Sequence, residues 1–175
     1  MPAGEERATV APSRREAWTL RLVLLGFGLS GVASLIFEIA WTRTLATVMG
    51  SSTYAMSTVL GAFMAGLAVG ALGGARLAPR LKNLPAAFAV CELGIGFTGL
   101  LINPLIKSLT PLYIASYYAF HQSFMGFSVV QFAIVFAVVG IPTTLMGAGF
   151  PVVVRCLTRG DREEEGRLAG RVYGV

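Results

Sequence analysis

Two carboxylates lie where the surrounding sequence offers them no water. Glu38 falls within SLIFEIAWTRTLATVMG, residues 34 to 50, inside an apolar run from Leu22 to Met49, and Glu92 falls within a second run from 85 to 106. An ionised carboxylate in hydrocarbon is costly, so such a residue is by default a candidate for binding an ion, a proton or a substrate. The competing reading is a buried ion pair: Glu38 with Arg43, or Glu92 with Arg76 or Arg80. Arg43 follows Glu38 by five residues, which is imperfect for one helix face, and it can snorkel to the outer boundary beside Trp41. Glu38, Trp41, Arg43 and Glu92 are therefore the candidate binding residues, with binding and structural pairing both open.

Helical spacing groups these residues with small and polar neighbours. Gly31, Ser34, Glu38, Thr42 and Ala46 form one stripe, and Glu92, Gly96, Gly99 and Asn103 form another, so each carboxylate is expected to face protein or water instead of lipid. At about 1.5 Å per residue, Glu38 lies toward the outer side and Glu92 toward the inner. Two acidic stations at different depths suit the path of a cationic solute, and suit two separate structural pairs as readily.

The elements that must position them are membrane helices. Of 175 residues, 55% are hydrophobic and 13% charged, and the mean hydropathy is +0.70. A soluble core of this size could not bury that much apolar surface. The fold class expected is all-α, a polytopic integral membrane helix bundle of about four transmembrane helices. Spans are read at 21–48, 54–76, 85–106 and 124–157, with an interfacial segment at 107–123 carrying Tyr113, Tyr117, Tyr118, Phe120 and His121. Residues 1–20 read as a mobile cytoplasmic tail and 158–175 as a charged cytoplasmic tail. The basic residues before the first run resemble a signal peptide, but that run is about 27 residues long with no clear A-x-A exit, so it is expected to remain.

Segment 124–157 is too long for one straight span. Pro142, Gly147, Gly149 and Pro151 predict a broken helix there. Crossing once with a break places Arg155, Arg159, Arg162, Arg167 and Arg171 on the same side as Arg14, Arg15, Arg21, Arg76, Arg80 and Lys82. The excess of positive charge then puts both termini in the cytoplasm, with the chain in the bacterial inner membrane.

In the second span, Gly66, Gly70 and Gly74 form two consecutive GxxxG steps, with Gly61 on the same helix. They predict close helix packing within this chain, with a homodimer as the alternative occupant of that face. Gly96 and Gly99 have the same role in the third span. The net charge of +5 belongs to membrane topology and not to nucleic acid, since no aromatic-basic motif accompanies it. Cys91 and Cys156 show neither a disulfide nor a zinc spacing. No GxSxG, HExxH or P-loop appears, so no catalytic residue, metal or cofactor is expected.

Four stretches taken together resemble a known family: LSGVASLIFEIAWTRTLATVMGSSTYAMSTVLGAFMAGLAVGALGGARLAPR, CELGIGFTGLL, PTTLMGAGFPVVVR and the closing GRLAGRVYGV. They are similar to the membrane part of bacterial fused spermidine synthase membrane proteins, also labelled as fused major-facilitator and spermidine synthase proteins. The resemblance covers most of residues 25 to 175. Its more specific parts are E-x-x-W-x-R at Glu38, Trp41 and Arg43 and P-T-x-L-M-G-A from Pro142. It implies that aminopropyl transfer belongs to a soluble domain following the helices, so the end at Val175 reads as a truncation, a fragment or a split gene. GGARLAPR also resembles the basic loop of facilitator transporters, without that loop's acidic residue.

Three functions compete on this reading. One is a membrane module that anchors a catalytic partner and supplies it with a cationic substrate, a polyamine. A second is a facilitator-type half-transporter acting as a dimer. The third is a non-catalytic subunit of a membrane complex.

Overall fold

The computed structural model describes residues 14–50, 52–120 and 123–158. They form five helices: α1 (Arg14–Met49), α2 (Thr53–Leu77), α3 (Leu84–Ser108), α4 (Thr110–Phe120) and α5 (Phe124–Leu157), with a 3₁₀ turn at Ala78–Arg80. No strand occurs among the described residues. α1, α2, α3 and α5 are each long and apolar enough to cross a membrane. The fold is thus an all-α, multi-pass bundle of four long helices, with α4 as a short fifth.

Polar residues mark where each helix begins. Ser52, Asn83 and Ser123 accept hydrogen bonds from the backbone N–H groups of Ala55, Ala86 and Gly126, each at 3.2 Å, satisfying donors that the first turn leaves unpaired. Gly50, at φ 84°, turns the chain out of α1 with a backbone conformation that a side chain would resist. The spans match expectation within a few residues at their ends, but α1 begins earlier. Arg14 to Leu20 are helical, not a mobile tail, because Arg, Glu, Ala and Leu are good helix formers next to an already nucleated helix. The rest of the expected tails, 1–13 and 159–175, lie outside the described residues, as does His121.

Cross-helix contacts set the topology. A Cβ built on Gly26 would lie 3.3 Å from Phe88, and one on Gly99 would lie 3.2 Å from Phe37, so α1 and α3 run parallel at a constant offset of 62 residues. Tyr54 packs edge-on against Phe124, Gly61 faces Phe132 and Gly74 meets Pro151, so α2 and α5 are parallel as well. The two pairs run in opposite directions. The first turn of α1, the 3₁₀ turn and the last turn of α5 consequently share one end of the bundle, where Val23, Ala78, Phe88, Val152 and Val153 form a small core. The α1–α2 turn and α4 share the other. There the Tyr113 hydroxyl donates to the Met49 carbonyl at 3.1 Å, tying α4 down to the end of α1. Burial, then the neighbouring Tyr117, raises the Tyr113 phenol above its ordinary pKa.

α5 is the central element, covered by α2 along its length and by α3 on another side. Trp41, Leu45, Phe63, Ile95, Ile102, Val135 and Val139 make the larger core. α1 lies more loosely, leaving Leu22, Leu25, Leu29, Val32, Leu35, Ile36 and Ile39 exposed along one flank, as a lipid-facing helix would.

The expected break at Pro142–Pro151 does not occur: α5 stays helical through both prolines. Each proline costs the helix one N–H donor. Where water is excluded the remaining backbone bonds are worth keeping, and α2 packs against this stretch of α5 throughout. Thr143 reinforces the turn after Pro142, its hydroxyl donating to Val139 O at 2.8 Å and to Gly140 O at 3.2 Å.

Candidate functional site

The constant offset between α1 and α3 decides what Glu92 meets. Sixty-two residues before it on α1 is Ser30, and this register sets the Ser30 hydroxyl beside the Glu92 carboxyl. Ser30 also borders a cavity of about 280 Å³ between α1, α2 and α5, together with Phe27, Ser34, Leu67, Met146 and Phe150. One turn along, the Ser34 hydroxyl donates to the Ser30 carbonyl at 2.8 Å. The Ser34 donor is thus committed to the backbone. The polar lining of the cavity is therefore serine hydroxyl oxygen, with Glu92 behind Ser30.

Two aromatic rings flank this lining: Phe27 and Phe150 lie 6.2 Å apart at 42°. Ring faces, hydroxyl oxygens and a nearby carboxyl together favour a hydrogen-bond-donating cation over an anion. Gly31 lines the same cavity, and a Cβ there would meet nothing within 4 Å.

The other candidates lie elsewhere. Glu38 is half-buried on α1, eight residues beyond Ser30 and so about 12 Å farther along the helix, which keeps the two carboxylates at different depths. Among the described residues, no ion pair joins Glu38 to Arg43 or Glu92 to Arg76 or Arg80. Trp41 does not sit at the surface beside Arg43. It is 2% exposed and stacked on Phe37 at 5.0 Å and 10°, with Phe63 at 6.5 Å, whereas Arg43 is exposed. A flat ring flanked by two others is stabilised better in the core than at the boundary.

The glycines divide in the same way. Gly66, Gly70 and Gly74 are buried against α5, which leaves that face no room for a second chain. A Cβ on Gly70 would strike the backbone of Thr144 and Ala148, and one on Gly147 would strike the backbone of Leu67, so the two helices interlock from both sides. Gly99 receives Phe37, Gly149 lies under Phe88 at 3.8 Å, and Gly61 and Gly96 are exposed. Cys91 and Cys156 are free thiols, and no group of three potential metal ligands occurs among the described residues.

Ser30, Phe27 and Phe150 were not among the sequence candidates. Ser30 carries a weak signal, since Ser30, Ser34 and Glu38 recur every four residues, but only the α1–α3 register identifies its partner. Comparison with protein-family models, curated proteins and solved structures finds no match to this chain.

Proposed function

We propose that this chain is a membrane module of the spermidine-synthase-associated type that holds a polyamine or similar alkylammonium ion between α1, α2 and α5 and presents it at the end of the bundle shared by the start of α1 and the end of α5. That end is the cytoplasmic one, in the bacterial inner membrane. It carries Arg14, Arg15, Arg21, Arg76, Arg80, Lys82 and Arg155, against Arg43 and Lys107 toward the other. The module anchors a catalytic domain or partner and assigns no catalytic residue to itself.

One observation carries the reading: Glu92, within a membrane-spanning helix, stands beside Ser30, which borders a serine-lined, phenylalanine-flanked cavity. Glu92 lies in the half of the bundle nearer the basic end, as a site supplying a cytoplasmic partner requires.

The test is spermidine and putrescine binding to the protein in lipid nanodiscs. A hydrogen bond to a charged group contributes about 1.5–3 kcal/mol, so Glu92→Gln should weaken binding by roughly 10- to 100-fold, with Glu38→Gln close to wild type. Equal binding by wild type and Glu92→Gln would end the proposal. Loss on Glu38→Gln alone would move the site to the other depth.

A further inference from the structure

Three prolines lie past the first turn of the long helices: Pro104 in α3, and Pro142 and Pro151 in α5. A proline brings no N–H to the helical ladder, so the carbonyl four residues before it loses its usual donor. The carbonyls concerned are those of Leu100, Val138 and Gly147. They fall in different surroundings. Leu100 is on the exposed side of α3 and Val138 is buried in the larger core, whereas Gly147 lines the cavity beside Ser30 and Ser34. Having no side chain, Gly147 can line a cavity only with its main chain. Helical carbonyls point toward the C-terminus, and the lining continues one turn in that direction at Phe150. Leu145 meets Gly94 across the antiparallel contact of α3 and α5, which sets Gly147 close to the depth of Glu92.

We propose that the Gly147 carbonyl, deprived of its helical donor by Pro151, is an acceptor for the bound cation on the α5 wall of the cavity, with Ser30 on the α1 wall. The inference rests on the cation-binding reading of this cavity and adds to it the class of amine. A primary ammonium has three N–H donors about one nitrogen, so both walls can hold it at once. A quaternary ammonium has none, and gains only from charge and from the ring faces of Phe27 and Phe150. In a medium without water, a carbonyl stripped of its helical partner is costly until another donor meets it, and the ligand's N–H is such a donor. The close approach of Gly147 to the Leu67 backbone fixes this stretch of α5, so the acceptor is in place before the ligand arrives.

The experiment measures binding of spermidine and of tetramethylammonium to the full chain in lipid nanodiscs, comparing wild type with Glu92→Gln, Pro151→Ala and Pro104→Ala. Pro151→Ala restores the N–H that pairs with Gly147 O, so spermidine affinity should fall about tenfold, while tetramethylammonium binding, weaker from the start, should not change. Pro104→Ala restores a donor on the exposed side of α3 and should bind both ions as wild type does. Because Pro151 also packs against Gly74, a further protein carries lactic acid at position 151, which has the methyl of alanine but an ester oxygen in place of the N–H. It should keep the wild-type affinity for spermidine, and the SDS unfolding midpoint shows that each protein is folded. Undiminished spermidine binding in Pro151→Ala, an equal loss in the alanine and lactic acid proteins, or an equal fall in tetramethylammonium binding would overturn the proposal. Any of these together with weakened binding in Glu92→Gln would leave the cation site standing without Gly147. Undiminished binding in Glu92→Gln would remove the site itself, and this proposal with it.

Discussion

Replacing Gly70 with alanine adds a single methyl group, and it should cost the bundle much of its cohesion. The new Cβ would stand 2.7 Å from the Thr144 carbonyl carbon and 2.9 Å from the Ala148 nitrogen, where ordinary contact begins at 3.4 Å. The obstacle is backbone, which cannot rotate aside, and the Thr144 carbonyl oxygen stands nearer still, so α2 and α5 must part locally by at least about 0.7 Å. A gap of about 0.5–1 Å forfeits a quarter to a half of each dispersion contact it opens. In lipid little else holds two apolar helices together. Overpacking of this kind costs about 1–3 kcal/mol, and at about 2 kcal/mol the ratio of folded to unfolded protein falls roughly 30-fold. Equilibrium unfolding in mixed micelles with increasing SDS reads that change directly. Gly73→Ala is the control: it lies on the same helix, a Cβ there meets nothing within 4 Å, and alanine is the better helix former. Stability of Gly73→Ala should equal or slightly exceed wild type. Equal stability of both variants would refute the close approach of α2 and α5.

Three further outcomes are expected. Gly147→Ala, which drives a Cβ into the Leu67 backbone from the opposite helix, should destabilise about as much as Gly70→Ala in the same SDS titration. Gly31→Leu projects into the cavity beside Ser30 and Ser34, so it should abolish spermidine binding while leaving the unfolding midpoint near wild type. Tyr113→Phe removes the bond to Met49 O and should cost about 1 kcal/mol near neutral pH. Because folding raises the Tyr113 pKa, that group favours the folded state fully below the unfolded value of about 10 and ceases to do so as pH rises through the folded one. Thermal melts from pH 8 to 11 should therefore show a smaller alkaline loss in Tyr113→Phe than in wild type.

The four spans were legible because a membrane helix announces itself by length and hydropathy, signals that need no knowledge of neighbours. The second-span glycines were legible for a related reason: small residues every four positions make a face that only another helix can fill. Which helix fills it was not legible, since α5 offers its own glycines and prolines in a stretch that reads as a break. Pro142 and Pro151 misled because a missing N–H weakens an isolated helix, whereas α5 is packed along its length. Trp41 was placed at the boundary by its neighbour Arg43, but about half a helix turn separates the buried Trp41 from the exposed Arg43, and no spacing within α1 says which faces inward. Ser30 depended on the register between α1 and α3, a relation between segments 62 residues apart.

The orientation of four spans in lipid is tested most directly by labelling introduced cysteines in intact bacterial cells, with Cys91 and Cys156 replaced by alanine. Thr53 and Lys82 are exposed and lie at opposite ends of α2 and its following turn. A membrane-impermeant maleimide is expected to modify Thr53→Cys at once and Lys82→Cys only after the membrane is opened. Equal labelling of both sites in intact cells, or labelling of Lys82→Cys alone, would contradict it.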